Sequence, residues 1–437
     1  HGDLEYLHDP KDFKDMEKAL NILDTKLREE KRIRIIGDYD IDGIMSTYIL
    51  LVGLKRVGAR VDIQIPDRIR DGYGLNESLV REAYDAGTDL ILTCDNGIAA
   101  AEQITVAKEL GMQVIVTDHH EVPYEDVEGE RKYLLPPADA IVNPKQQDCH
   151  YPFKGLCGAA VAWKLICALY KRHGIDSSES MAFIEYAAFA TVGDVMDLQG
   201  ENRVIVKEGL IRLRQTKNKG LLALMRENQI VPEDINVYHI GFVLGPCLNA
   251  SGRLDTAKRA LAMLCAENDE DAAKLAGDLK ALNESRKAMT LQGTEAAISL
   301  VEQSDMKEDK VLVVYLPECH ESLAGIIAGR LREHYHKPSF VITKTVEGLK
   351  GSGRSIDSYS MYDELCKCRD LFTKFGGHPM AAGISLKEEN LSVFRKRINK
   401  VCTLAEKDLM EKVVIDIAMP ISYISKRLIS QIEQLGP

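Results

Sequence analysis

The sequence predicts an α/β protein: a parallel-sheet domain joined by a long helix to a smaller α/β domain. Three observations carry this. Five short apolar runs fall in the first third of the chain, and helical-period stretches separate the first four of them. The middle of the chain is helical and ends in a long segment without proline. A second strand–helix–strand pattern follows it. At 437 residues, and roughly 150 residues per domain, two or three domains are expected.

The five runs are Arg34-Ile35-Ile36, Val61 to Ile65, Leu90-Ile91-Leu92, Val114-Ile115-Val116 and Ala140-Ile141-Val142. Helical spacing appears between them at Gly43 to Leu54 and Ile98 to Leu110. Buried β-branched strands alternating with amphipathic helices read as a parallel sheet covered on both faces. From about Gly155 to Ile240 helical periods dominate, with Trp163 in an apolar helix and so assigned to the core. Between Glu267 and Gln303 there is no proline, and Gly277 and Gly293 are the only glycines. A helix of ~35 residues would reach ~50 Å and suits a connector. The second α/β segment has strand Val311 to Leu316, helix Ser322 to His334 and strand Ser339 to Thr343, then two Gly-rich patches. The expected division is 1–265, a connecting helix at 266–303, a second domain at 304–408, and the start of a further unit at 409–437.

Apolar residues make up 45% and charged residues 28%, which fits a folded domain and not a disordered one. No apolar run approaches the ~18 residues of a membrane span, and no basic-then-apolar leader opens the chain. Ten cysteines without a CxxC pair exclude a disulfide scaffold, and Cys366-Lys-Cys368 lacks the partners of a zinc site. A cytoplasmic setting follows. The net charge of −11 argues against a surface that coats nucleic acid everywhere; it leaves room for a local basic groove.

The sharpest feature is Gly37-Asp38-Tyr39-Asp40-Ile41-Asp42-Gly43, directly after the first strand. Three carboxylates alternate at the carboxyl end of a parallel strand, where open sheets bind ligands. An EF-hand is excluded, because no Glu stands at the twelfth position from Asp38 or Asp40. The third strand ends Thr93-Cys94-Asp95-Asn96-Gly97, and the fourth Thr117-Asp118-His119-His120. A lone Asp after a strand is ordinarily a helix cap, but three strands converging on Asp and His fit divalent cations better. Asp194, in Thr191-Val192-Gly193-Asp194-Val195, follows an apolar helix and would be a costly buried acid without a cation.

These motifs, taken together, resemble the DHH phosphoesterase superfamily, and within it the branch of single-strand-specific exonucleases. The GDYDIDG, CDNG, TDHH and TVGDV segments are similar to its first four motifs. Asp67 to Leu75 resembles its arginine-plus-GYG loop, and Glu201-Asn202-Arg203, Gly245-Pro246 and Asn249 to Arg253 also fit. Gly351 to Ser355 and Gly376 to Gly383 are similar to the DHH-associated domain. Ile36 stands where other branches carry His, which leaves one metal a protein ligand short. Cys247 and Ser251 stand where the nucleases often have Arg and Ala.

The resemblance implies a DHH domain linked to a DHH-associated domain and two Mn²⁺ or Mg²⁺ ions. Asp40 and Asp95 would hold one ion, with Asp38 as a substitute ligand. Asp42, Asp95, His119 and Asp194 would hold the other. Two such cations activate water and stabilise both oxygens of an in-line phosphoryl displacement. Asp42, His119 and His120 are the catalytic candidates, with His120 on the scissile phosphate. Arg70, Arg253, Ser352, Arg354, Gly377 and His378 are the substrate contacts, and Tyr73 a base-stacking candidate. The implied activity is 5′→3′ release of 5′-mononucleotides from single-stranded DNA in recombination and repair, with a single-strand-binding protein or helicase as partner. Two alternatives stand beside it: an oligonucleotide or cyclic-dinucleotide phosphodiesterase, which Ile36 and the long helical insert disfavour, and an inactive replication scaffold, which would need broken motifs. The missing initiator Met and the ending Gln434 to Pro437 suggest a fragment cut where an oligonucleotide/oligosaccharide-binding barrel would begin.

Overall fold

The computed structural model describes residues 3–68, 71–72, 74–127 and 130–436. The chain divides into two units, His1–Asn283 with Ile429–Pro437, and Glu284–Leu428.

In the first unit, β1 (Arg32–Ile36), β2 (Arg60–Gln64), β3 (Leu90–Cys94) and β4 (Gln113–Thr117) are followed by an exposed antiparallel hairpin, β5 (Tyr124–Val127) and β6 (Glu130–Tyr133), and then β7 (Ala140–Val142). The main sheet has the order β2-β1-β3-β4-β7 and is parallel throughout. Successive side chains alternate between two cores. Ile33, Ile35, Leu92 and Ile115 pack with helices Met16–Arg28, Ile41–Arg56 and Gly158–Arg172, whereas Ile36, Ile91, Val114 and Val116 pack with helices Glu77–Asp85 and Ala101–Glu109. Burial on both faces is why the strands read as unbroken apolar runs. Ile36 is fully buried in the second of these cores, so packing accounts for it. The chain leaves β1 for β2 on one side and later returns to place β3 on the other. The order therefore reverses between β1 and β3, and a crevice opens at their carboxyl ends.

Helices Ile184–Gly193, Gly200–Leu213 and Lys219–Glu227 form the insert after Gly158–Arg172. Trp163 is buried, as its apolar helix implies, and donates its indole N–H to the Ser180 carbonyl at 2.9 Å. Lys164 and Glu201 are paired in the interior. Glu201 also accepts from Tyr151 Oη at 2.7 Å and the His8 amide at 3.1 Å, and Lys164 donates to the His8 carbonyl at 2.7 Å. This network ties the N-terminal segment to the insert, a structural role for Glu201. Glu201→Ala would strand a buried ammonium and is expected to cost about 3–5 kcal/mol, measurable as a lowered denaturation midpoint.

The second unit carries β8 (Leu312–Tyr315), β9 (Ser339–Thr345), β10 (Gly348–Arg354), β11 (Phe372–His378) and β12 (Ala381–Leu386), in the order β11-β12-β10-β9-β8. Only β8 and β9 run parallel. Here too the faces alternate: Leu312, Val314 and Val341 meet helix Ala324–Tyr335, while Val313, Phe340 and Ile342 meet Phe394 and Ile398. The long helix spans Asp269–Glu302, and the division between units falls inside it. The first Gly-rich patch lies along β10, and the second runs from the end of β11 through the Pro379-Met380 turn into β12; a Cβ on Gly353 would sit 2.4 Å from Met361 Sδ and 2.6 Å from Phe340. Core packing therefore explains Gly353. All ten cysteines are free thiols. No helix among the described residues is long and apolar enough to cross a membrane.

Candidate metal centre

The crevice between β1 and β3 is where the acids gather. Asp40 caps helix Ile41–Arg56, its Oδ1 accepting from the amides of Asp42 and Gly43 at 3.0 Å each. Asp40 is thus both a helix cap and a member of the cluster. Gly43 is required by close approach, since a Cβ there would lie 2.5 Å from the Asp38 carbonyl oxygen. Asp42, one residue into the helix, in turn receives the start of helix Gly158–Arg172: Gly158 N donates to its Oδ2 at 2.6 Å and Ala159 N to its Oδ1 at 2.7 Å. That helix has no side-chain cap of its own, so Asp42 takes two of the amides a helix start leaves unsatisfied.

β3 delivers Asp95, whose φ of 60° is left-handed, a conformation that Gly, Asn and Asp adopt more readily than other residues. β4 delivers the Asp118-His119-His120 run. Asp118 acts as a support. Its Oδ2 accepts from Ile98 N at 2.9 Å, while its Oδ1 accepts from His119 N at 2.7 Å and lies 2.8 Å from His120 Nδ1. Asp194 closes helix Ile184–Gly193, followed by Val195 at φ 58°. A β-branched residue there is strained, and the strain sits beside the cluster. His119 Nε2 lies 3.1 Å from Asp95 Oδ1, 3.5 Å from Asp42 Oδ2 and 3.9 Å from Asp194 Oδ2. Three overlapping sets result: Asp38, Asp40 and Asp95; Asp42, His119 and Asp194; and Asp95, His119 and His120. In each set, one donor atom from every residue lies within 4.8 Å of the others.

Burial and mutual repulsion push Asp38, Asp40, Asp95 and Asp194 up. Asp38 rises to about 8 through burial and then the Asp40 charge, and Asp194 to about 8 through burial and then Asp42 and Asp40. Asp95 lies well above the ordinary carboxylate range for the same reasons, with Asp42 its strongest neighbour. Burial lowers His119. In His120, burial is outweighed by the Asp118 hydrogen bond and the surrounding acids, and the ring rises to about 9. Both carboxylate oxygens of Asp38, and His119 Nδ1, are buried without a hydrogen bond. A like-charge pair at 4 Å costs about 4 kcal/mol at an effective dielectric of about 20. Hard oxygen donors with one imidazole, crowded and under-satisfied, fit divalent cations.

A cavity of about 270 Å³ adjoins the acids, lined by Asp38, Asp40, Asp194, Asn249, Arg68 and Arg253 among others. Asn249 Oδ1 accepts from Ile41 N at 2.8 Å, and Arg253 stands one helical turn further on. Arg68 is a residue that sequence reasoning missed in favour of Arg70. Its guanidinium lies over the Tyr39 ring, 5.0 Å from the centroid. The signal was in the same Asp67 to Leu75 loop. Arg70 and Tyr73 lie outside the described residues. Ser352, Arg354, Gly377 and His378 belong to the second unit. There Arg354 and His378 share a row through Ala381, and Ser352 lies 3.5 Å from Arg354 Nη1.

Residues 32–192 match the model of the DHH family, N-terminal domain, and residues 308–404 that of the DHHA1 domain. The single-stranded-DNA-specific exonuclease RecJ of Escherichia coli K12 is 36% identical over 407 residues, covering 89% of this chain and 69% of that protein. The chain belongs to the RecJ family. The Bacillus subtilis RecJ is 37% identical over 434 residues, covering 98% of this chain and 53% of its own length; the chain thus spans about half of that relative. A crystal structure of exonuclease RecJ bound to manganese superposes with a TM-score of 0.77 at 33% identity, covering 91% of this chain and 96% of that one.

Proposed function

We propose that this chain is the catalytic core of a metal-dependent exonuclease that releases 5′-mononucleotides from single-stranded DNA, 5′→3′, in recombination and repair. One observation carries the reading: Asp38, Asp40, Asp42, Asp95, His119 and Asp194 converge beside a cavity that also presents two arginines. Asp38, Asp40 and Asp95 would hold one Mn²⁺ or Mg²⁺, and Asp42, Asp95, His119 and Asp194 a second. The His/Asp donor set suits Mn²⁺ somewhat better, and the superposed RecJ crystal structure is bound to manganese. Bound cations of this kind supply Lewis-acid stabilisation of charge on phosphoryl oxygens.

The side chains do the rest. Asp42, held at both oxygens by backbone amides, keeps its place without side-chain freedom. Asp118 fixes the His120 ring through Nδ1, which leaves the Nε2 edge to meet a phosphate oxygen. His120 is 44% exposed at its side chain, against 8% for His119. That contrast favours His120 for substrate and His119 for metal. Arg68 and Arg253 offer planar forks for phosphate. In the second unit, Ser352, Arg354, Gly377 and His378 are assigned to phosphate contact, and the domain boundaries at 265, 303 and 408 belong to the same reading. A cytoplasmic location and a single-strand-binding or helicase partner complete it.

The test is digestion of 5′-phosphorylated single strands, matched duplexes and dinucleotides with Mn²⁺. Mononucleotides from the single strand alone are expected. Equal cleavage of the duplex overturns the specificity, and cleavage of dinucleotides alone overturns the exonuclease reading in favour of a small-substrate phosphodiesterase.

A further inference from the structure

The fifth strand of the main sheet ends at the same edge as the acids, and it delivers a cation. After β7 the chain runs Asn143-Pro144-Lys145. Asn143 Nδ2 donates to the His120 carbonyl at 3.0 Å, and Asn143 Oδ1 accepts from Lys145 N at 2.8 Å, which pins this loop to the DHH loop. The Lys145 ammonium lies 2.9 Å from Glu121 Oε1, directly after the His pair. Its positive charge also reaches His119 and Asp194, exerting a downward pull on both groups. Lys145 is mostly sheltered, at 23% side-chain exposure, whereas Glu121 is 83% exposed. An exposed partner is readily displaced, since a surface pair in water contributes little.

We propose that Lys145 is a phosphate-binding residue of this site, held by Glu121 until a strand's phosphate takes its place. The metal site is dominated by carboxylates, and an incoming polyanion needs cations arriving from more than one side. Arg68 and Arg253 come from the loop after β2 and from helix Gly245–Leu254. Lys145 adds a third cation from a separate strand. As a compact ammonium it grips a phosphate as a point charge, without the geometric demand of a guanidinium.

The inference rests on the exonuclease reading, and its test separates the two. Cleavage of 5′-phosphorylated single strands with Mn²⁺ is followed as kcat/KM against NaCl for wild type, Lys145→Gln, Lys145→Arg and Glu121→Gln, with Mn²⁺ binding measured on each protein. A phosphate contact on a single strand contributes about 0.7 to the salt slope. Lys145→Gln should therefore flatten the slope by about 0.7 and lower kcat/KM by about 5-fold at 0.1 M salt, with the deficit vanishing toward 1 M. Lys145→Arg should recover most of it. Glu121→Gln should shift kcat/KM the opposite way, upward, because the ammonium is released to the substrate. Mn²⁺ affinity should not move. If both substitutions lower activity alike with an unchanged slope, the pair merely braces the loop and the proposal is wrong. It is equally wrong if Lys145→Gln matches wild type or loses Mn²⁺. A wild-type protein that cleaves no single strand instead overturns the exonuclease reading, and this proposal falls with it.

Discussion

Asp95→Asn is expected to lower kcat/KM on single-stranded DNA by about 10³-fold or more while raising the melting temperature of the metal-free protein. The two effects share one cause. Asp95 is buried and faces the charges of Asp42, Asp40 and Asp38. A neutral asparagine spares the folded, metal-free protein the cost of holding this acid against its neighbours, which the wild type meets by taking up a proton or a cation. The same change takes an anionic donor from both sets of metal ligands that include Asp95. A loss of about 4 kcal/mol from the transition state corresponds to about 10³ in rate. Asparagine keeps the side-chain shape and tolerates the left-handed backbone at φ 60°, so misfolding is not the expected cause. Thermal melts with EDTA and with Mn²⁺ check this: wild type should gain markedly with Mn²⁺, and the variant should start higher and gain little. A variant that melts lower than wild type in EDTA, or that gains as much from Mn²⁺, would overturn the assignment.

The second large effect is expected at a residue with no functional group. A Cβ on Gly158 would sit 2.7 Å from Asp95 Cβ and 2.9 Å from Asp95 Oδ1, while the Gly158 amide is bonded to Asp42. Gly158→Ala must therefore push a metal-ligand candidate aside or withdraw the helix start from Asp42. Displaced support of this kind typically costs 10–100-fold in metal affinity, and overpacking adds about 1–3 kcal/mol of instability. Gly277→Ala is the control: no atom lies within 4 Å of its added Cβ in the long helix, and it should stabilise by roughly 0.5–1 kcal/mol. Mn²⁺ titration by electron paramagnetic resonance distinguishes them. Wild-type affinity in Gly158→Ala would refute the positioning role.

The main sheet and the acids were legible in the sequence. Burial on both faces leaves unbroken β-branched runs, and carboxylates repeated after successive strands would repel one another unless a cation joined them. Strand limits moved by a residue or two, as at Val311 to Leu316 against Leu312–Tyr315. The packing role of Gly353 could not be read from the sequence, since glycine serves a close-packed strand as well as a turn and only the positions of Phe340 and Met361 show the close approach. The hairpin β5–β6 gave no warning, since every residue in both strands is exposed and no buried face imposes alternation. Arg68 and Arg70 sit two apart in one loop, and residue type alone cannot choose between them. The support of Asp42 by Gly158 and Ala159 could not be read at all, because the donors are backbone amides more than a hundred residues away.

That distance has a consequence for synthesis in the cell. The cluster and its cavity draw on positions from Asp38 to Arg253, so a ribosome must translate well past the last of these before any of the chemistry can assemble. Such long-range pairings form late. On the exonuclease reading, a nascent chain would be harmless to nearby nucleic acid for more than half of this sequence's translation, its latency enforced by topology without any inhibitor.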